Sequence, residues 1–357
     1  MNSVLQQLFM IKPLRSALLS IKIPSHHDDE TDDDEKRDLS DSFMDSKSFL
    51  VSTTTTKNSP SNMSLNNNQQ NDQQESNENN GNESGGQKTS TSSKNVDRTD
   101  YNICILKHIQ RIFGHCLESK LQFYIPRSFW KIFKFFGEPV NLREQHDAVE
   151  FLNTIVDSID EALKSLNLPQ ICSKVLGGTF ADQKICKDCP HRYSSEEDFT
   201  LVSVDIRHSQ NLKESLEQYV IGELLDGPNA YFCEKCNKKV DTVKRTCFKK
   251  LPPILAIQLK RFDYDWERET PIKFNDYFEF PRELNMEPYT VQGLAKAEGI
   301  TETDDYSIVR DENGSINSGG TYYKLVGTIV HSGQANGGHY YSFIQNKDDI
   351  NPDQSHW

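Results

Sequence analysis

No cysteine stands in the first 103 residues; all eight lie between Cys104 and Cys247. The N-terminal stretch "MNSVLQQLFMIKPLRSALLSIKI" is the one candidate targeting segment. Lys12, Pro13 and Arg15 break its apolar run and no small-residue cleavage site follows, so it does not read as a secretory signal. Without that context the cysteines are not read as a disulfide framework. The chain also lacks any uninterrupted apolar run of about 18 residues, which leaves nothing that reads as a membrane span. These absences point to an intracellular protein, cytoplasmic, with a nuclear location left open. Aromatics are missing in one region: residues 25–100 hold only Phe43 and Phe49. That tract carries sixteen acidic and seven basic residues, so its −9 accounts for most of the chain's −13. The acidic pI of about 5.3 therefore describes one segment. The remainder is near charge balance and offers no basic excess for nucleic acid.

Hydrophobic residues make up 35% of the 357 and the mean hydropathy is −0.69, and the shortfall is concentrated in the same tract. "HHDDETDDDEKRD" passes into a run rich in Ser, Thr, Asn and Gln, which cannot bury enough apolar surface to offset its chain entropy. Residues 25–100 are expected to be a disordered insertion between two parts of one fold, which loop-closure entropy tolerates cheaply. Both a spacer and a regulatory or docking segment fit that composition.

What is present on either side is patterned. Met1, Val4, Leu5, Leu8 and Phe9 repeat at helical spacing, with no capping residue ahead of them, as if the chain had been cut upstream. "YNICILKHIQRIFGHCLES" and "PRSFWKIFKFFG" read as helices. "NLREQHDAVEFLNTIVDSIDEALKSL" carries an apolar stripe of Ala148, Phe151, Leu152, Ile155, Ile159, Ala162, Leu163 and Leu166. After Gly177-Gly178 strands dominate: "FTLVSVDI", "LPPILAIQLKRFDYD", and the pair "YKLVGTIVHSG" and "HYYSFIQ" joined by a Gly-rich turn, with "NLKESLEQYV" a short helix. A helical block followed by a mainly antiparallel β block is an α+β chain. No internal repeat is seen.

Two motifs carry chemistry. Cys186/Cys189 in "CKDC" and Cys233/Cys236 in "CEKC" each place two thiolates within reach of one metal, and together they complete a tetrahedral four-cysteine zinc site. The gap between pairs is longer than in a compact ribbon, so the intervening chain must leave and return as an extended finger of strands. Four thiolates leave no open position, which makes the metal structural. Two unrelated buried or redox pairs are the competing reading. Cys104, Cys116, Cys172 and Cys247 sit among apolar neighbours as small core residues. The second motif is "GQANGGHYYSFI": Gly337 and Gly338 let backbone approach a ligand closely, His339 is placed as a general base, and Tyr340 and Tyr341 supply walls. His331, in "VHSG", falls on the facing strand. A merely surface histidine is the alternative, and no nucleophile stands nearby.

These residues resemble the ubiquitin-specific proteases. "YKLVGTIVHSGQANGGHYYSFI" is similar to their histidine box, "REQHDAVEFL" to their Gln-Asp-Ala box, "LPPILAIQLKRFDYD" to the strand ending in Lys-Arg-Phe, the two CxxC pairs to their zinc finger, and "MNSVLQQLFM" to the helix after their Cys box. "GEPVNLREQHDA" through "KFNDYFEFPRELNMEPYTV" is close to the fat-facets-related branch. The motifs keep the family's order and cover nearly all of the chain outside residues 25–100. The resemblance implies a papain-like thiol protease fold of the α+β class. In it, 1–24 is the first helix of a thumb, 25–100 the insertion, 101–178 the helical thumb, 179–250 antiparallel β fingers with the zinc site, and 251–357 a β palm.

The resemblance also assigns roles. His339 is the catalytic histidine; Gln145, Asp147, His331 and Tyr340 face ubiquitin; Cys186, Cys189, Cys233 and Cys236 hold zinc. A solvated helix carboxylate remains open for Asp147, and core packing for Tyr340. His146 stands where the family usually has glutamine. The family's nucleophilic cysteine would precede Met1 by two residues, and its orienting Asp or Asn follows a Trp that resembles Trp357. The expectation is a chain truncated at both ends, and none of Asp348, Asp349 or Asp353 is promoted to the orienting role. The implied activity is hydrolysis of the bond after ubiquitin's last glycine, with ubiquitin and ubiquitinated proteins as partners, no nucleic acid and no membrane, in a monomeric domain of a larger protein. A non-catalytic ubiquitin binder and a nucleic-acid-binding zinc ribbon are the other two readings.

Overall fold

The computed structural model describes residues 1–24, 91–121, 123–299 and 320–345, with side chains of the second segment given from Arg98 onward. Most of the 25–100 insertion, and Asp348, Asp349, Asp353 and Trp357, lie outside the described residues. Residues 1–22 and 134–357 form one compact unit, residues 23–133 another. Among the described residues no helix is long and apolar enough to cross a membrane.

The larger unit begins with helices α1 (Asn2–Met10) and α2 (Lys12–Ser20). Pro13 in the first turn of α2 loses no hydrogen bond there, because the first helical N–H groups have no partner anyway. The residue that excluded a signal segment thus starts a second helix. In the smaller unit, α3 (Thr91–Glu118) begins ten residues before the expected boundary at 101, and its Ile105, Leu106, Ile109 and Phe113 are buried. Helix α4 (Arg127–Ile132) is shorter than "PRSFWKIFKFFG" suggested. After it comes a small hairpin, β1 (Lys134–Phe135) with β2 (Glu138–Pro139). The helix has already ended at Phe133, whose backbone is extended, and the hairpin's turn puts Phe136 at φ 50° and Gly137 at φ 89°.

Helix α5 (Ala148–Ser165) buries Ala148, Phe151, Ile155, Ile159, Ala162 and Leu163, most of the expected stripe, while Leu152 and Leu166 stay half-buried. It starts at Ala148, not at Asn141, because Asp147 caps it. The buried Asp160 on α5 is satisfied by helix α6 (Ile171–Leu176): it accepts from the N–H groups of Cys172 and Ser173 at 2.9 and 2.7 Å and from the Ser173 hydroxyl at 2.6 Å.

A four-stranded sheet follows, in the order β4 (Arg192–Phe199), β3 (Gly178–Cys186), β9 (Thr242–Lys250), β6 (Glu223–Leu225). All three pairings are antiparallel. Strands β7 (Tyr231–Cys233) and β8 (Lys238–Val240) make a separate hairpin that carries the second cysteine pair. Strand β5 (Val202–Val204) pairs in parallel with β10 (Ile257–Leu259), an exception to the mainly antiparallel expectation. Helix α7 (Leu212–Val220) is capped by Asn211 and buries Leu216 in a core with Phe180, Phe199, Val204, Phe248 and Met286.

Beyond it stand the hairpin β11 (Phe262–Asp265) with β12 (Thr270–Lys273), and the pair β13 (Glu283–Asn285) with β14 (Tyr322–Lys324), which brackets helix α8 (Val291–Ala297). The last pair is β15 (Gly327–Gln334) with β16 (Gly337–Ile344), as the sequence pattern predicted.

Within that last pair the two glycines are not equivalent. A Cβ on Gly338 would overlap the Ser332 carbonyl oxygen and come 2.6 Å from His331 Nε2, whereas one on Gly337 meets nothing within 4 Å. Close approach is thus required at Gly338 alone, and its cause is internal packing. Gly338→Ala is expected to destabilise the larger unit by about 1–3 kcal/mol, as overpacked sites do. Gly337→Ala is expected to be nearly silent in the same denaturant titration. Equal effects would contradict the steric argument.

Candidate functional site

The site is built where three remote parts of the larger unit meet on β15–β16. The register pairs His331 with Tyr340 and Ser332 with His339. Cross-strand partners share a face, and successive residues alternate, so His331 and Tyr340 point one way and His339 the other. His339 is exposed. The His331 ring is held between Phe262, at 5.1 Å between ring centres, and Tyr340, at 4.8 Å. Burial lowers its pKa, and the neighbouring Lys273 ammonium lowers it further. Its Nδ1 is buried with no hydrogen-bond partner among the described residues.

Helix α1 lies along β16 and is tied to it by side chains. The Ser3 hydroxyl donates to the Tyr340 carbonyl at 3.1 Å, and the Gln7 amide donates to the carbonyls of Thr328 and Phe343 at 3.1 and 3.0 Å. The leading turn of α1 is therefore fixed against the residue that follows His339.

Asp147 joins the same place from a third direction. Its Oδ1 accepts from the N–H groups of Val149 and Glu150 at 2.7 and 3.0 Å, which makes it the cap of α5. Its Oδ2 accepts from the Tyr340 hydroxyl at 3.4 Å, a long bond. Burial and the Asp147 charge push the Tyr340 phenol up to about 12, so it remains a donor at any physiological pH. Gln145 is exposed in the turn before α5. His146 bonds the Asn141 carbonyl through Nε2 at 2.8 Å and stacks on Phe135 at 4.9 Å, which fixes that turn. Gln145, Asp147, His331 and Tyr340 thus lie near one another in the fold, and His146 has a local structural task.

The cysteines gather at the far end of the four-stranded sheet. Sulfur or nitrogen atoms of Cys189, His191, Cys233 and Cys236 all lie within 4.8 Å of one another. The Cys189–Cys233 sulfurs are 3.9 Å apart, and His191 Nδ1 is 3.6 Å from the Cys233 sulfur and 3.2 Å from that of Cys236. With Zn–S near 2.3 Å and Zn–N near 2.0 Å, a tetrahedral zinc site has edges of roughly 3.5–3.8 Å. The donor types, and spacings of 3.2–3.9 Å for three of the pairs, suit a zinc ion. Tyr193 makes a 3.3 Å contact with the Cys233 sulfur and lowers that thiol's pKa, which favours the ligating thiolate.

Cys186, expected as a ligand, stands beside this group: its thiol interacts with Cys189 and accepts from the Thr242 hydroxyl at 3.7 Å. His191 was not anticipated, although its position two residues after Cys189 was a usable signal. Lys273 was also missed. The other four cysteines are free; Cys172 and Cys247 are buried, in line with core roles, whereas Cys116 is exposed.

Comparison with known proteins places these features in a family. The ubiquitin carboxyl-terminal hydrolase family matches residues 1–357. Mouse (Mus musculus) ubiquitin carboxyl-terminal hydrolase 9X is 54% identical over 360 residues, covering 100% of this chain and 13% of that protein. The probable ubiquitin carboxyl-terminal hydrolase FAF of Drosophila melanogaster is 60% identical over 255 residues, 71% of this chain and 9% of that protein. The chain therefore spans a small part of these relatives. Among solved structures, the SAGA Ubp8/Sgf11/Sus1/Sgf73 DUB module bound to ubiquitin aldehyde matches in fold with a TM-score of 0.51 at 24% identity, over 69% of this chain and 52% of that one. A related structure of that module bound to monoubiquitin gives the same TM-score at 26% identity. By the match along its whole length, the chain belongs to the ubiquitin carboxyl-terminal hydrolase family, in the branch of the 9X and FAF proteins, and has the fold of a ubiquitin-specific protease catalytic domain.

Proposed function

We propose that this chain is the ubiquitin-gripping, histidine-bearing part of a thiol-type deubiquitinase that cleaves the bond after ubiquitin's C-terminal glycine. The observation that carries the reading is the seat of α1 on β16, the Ser3 hydroxyl on the Tyr340 carbonyl. A thiolate at the leading end of that helix is favoured by the unpaired N–H groups and the dipole there, and it would stand beside the strand that bears His339. His339 would take the thiol proton. The thiolate would attack the glycine carbonyl carbon, and collapse of the tetrahedral adduct would break the C–N bond as His339 protonates the departing amine. Water would then cleave the thioester, returning the thiol and releasing a carboxylate. Ubiquitin as partner is supported by the bound ubiquitin in the Ubp8 structures. In a protein that carries the nucleophile, His339→Ala is expected to abolish hydrolysis of a ubiquitin C-terminal amide while ubiquitin still binds. Undiminished hydrolysis would refute the role.

Asp147 is proposed to pair with an arginine of the ubiquitin tail through a charge-assisted bond. Because it also caps α5, alanine would confound two effects. Asparagine caps as well as aspartate does but carries no charge. Asp147→Asn is therefore expected to leave unfolding unchanged and to weaken ubiquitin binding about tenfold, for a loss of about 1.4 kcal/mol by calorimetry. Unchanged affinity would place Asp147 in a purely structural role.

The four-donor group is proposed to hold structural zinc through Cys189, His191, Cys233 and Cys236, since no position is left open for substrate. The zinc-loaded protein is expected to show one metal per chain, with three sulfur and one nitrogen neighbours in X-ray absorption. Cys233→Ser is expected to lose the metal and Cys186→Ser to keep it. A four-sulfur shell, lost in Cys186→Ser, would restore the all-cysteine site.

A further inference from the structure

Lys273 is the last residue of β12, at the root of the β11–β12 hairpin, and pairs in register with Phe262. Its ammonium donates to two backbone carbonyls of β15: His331 O at 3.1 Å and Gly333 O at 2.9 Å. These carbonyls are two residues apart, so they point to the same edge of the strand. Among the described residues no other strand pairs with that edge, because β15–β16 is a two-stranded unit whose ladder lies on the opposite side. The Phe262 ring meets the His331 imidazole at the same place, and that imidazole fills the space beneath Gly338. One cross-strand pair thus grips both the backbone and the side chain of His331. Beyond the root, Tyr264 and Trp266 pack ring against ring at 4.8 Å near the hairpin tip, with Trp266 84% exposed.

We propose that Lys273 is a positioning residue for the histidine turn, tying the aromatic hairpin to the backbone of residues 331–333 and so fixing the strand pair that presents His339. A clamp of this kind supplies two things. It satisfies carbonyls that would otherwise wander with an unpaired strand edge, so that the turn keeps one geometry. It also sets a fixed positive charge beside His331, which adds to burial in disfavouring protonation of that ring. The other charged or titratable groups acting on His331 are Asp147 at the α5 cap, which favours its protonation, and His339, which opposes it. A contact made by a partner at the hairpin tip would reach the turn through the same two residues. The role in catalysis rests on the deubiquitinase reading; the clamp itself does not.

The test uses the whole zinc-loaded chain with Lys273→Met, which keeps the length and apolar stem but removes the charge, and Lys273→Arg as the conservative variant. Imidazole resonances of His331 and His339 are followed against pH, and amide hydrogen exchange is measured over residues 327–344. In the methionine variant, exchange at residues 333–338 is expected to rise at least tenfold while the four-stranded sheet is unaffected, and His331 is expected to titrate at higher pH. Arginine is expected to restore both. Loss of protection throughout the larger unit, with the His331 titration unmoved, would mean that Lys273 is only a fold residue and would overturn the proposal, as would no change in either measurement. Ubiquitin affinity, measured in parallel on the unaltered chain, reports on the deubiquitinase reading separately: its absence would sink that reading and leave the clamp standing. Should the methionine variant fail to fold, Lys273→Gln takes its place: His331 is expected to titrate at higher pH there too, and an unmoved titration would overturn the proposal.

Discussion

The site depends on a set of hydrogen bonds from side chains of α1 to the backbone of strands more than 300 residues away. Ser3 and Gln7 donate to carbonyls of Tyr340, Thr328 and Phe343. Such bonds recognise backbone, so they hold the helix to the strand pair whatever side chains the strands carry. Each has modest net value, of order 1 kcal/mol, but together with the buried Val4, Leu5 and Leu8 they fix the leading turn of the helix in one place. A reaction between a group at a helix start and a group on a strand needs that fixity more than it needs affinity, since effective molarity falls steeply with loose geometry.

The fold was legible where local pattern and tertiary role agree. The α5 stripe, the Asn211-capped α7 and the final strand pair could be read from spacing alone, because each buries one face and keeps the other wet. Boundaries failed where backbone geometry overrode composition. Extended backbone at Phe133 and then the hairpin turn at Phe136 and Gly137 interrupt a run that is apolar enough to be helix, and α3 extends back into a segment whose Ser, Thr and Asn content argued for coil. The site showed the same division. Histidine in a glycine turn and paired cysteines announce themselves. His191 and Lys273 do not, because each acts through a neighbour that is close only after folding. Gly337 and Gly338 illustrate the limit: the sequence marks both as special, and only the packed His331 ring shows which one must lack a side chain.

The sheet that carries the cysteines gives the proposed metal a physical reason. At its end the buried apolar cluster shrinks to Cys186, Cys233 and Val240, with Cys189, Tyr193, Tyr231 and Cys236 packed around it. So small a cluster cannot hold the β7–β8 hairpin against β3 and β4 by burial alone. A metal held as proposed, bridging Cys189 and His191 on one side to Cys233 and Cys236 on the other, would supply by coordination what the core cannot supply by area. The sheet then can extend far from the main core without a core of its own.

Asp147 shows how one carboxylate can serve a structural duty and keep acceptor capacity for the binding proposed for it. A helix N-terminus holds unpaired N–H groups that attract an anion, so capping places Asp147 where its charge is already stabilised. Only one of its oxygens is used for the cap. The second accepts the Tyr340 phenol through a bond at the long end of the useful range, which leaves it lone-pair capacity beside the β15–β16 pair. A cationic partner arriving there would find an acceptor whose orientation the helix has already fixed, so little side-chain entropy remains to be lost on binding. The same economy makes the residue hard to interpret by deletion, since removing the carboxylate frees the helix end and the phenol together. Charge and cap can be separated only by a side chain that keeps the cap's geometry, and this is why the amide, and not alanine, isolates the recognition role.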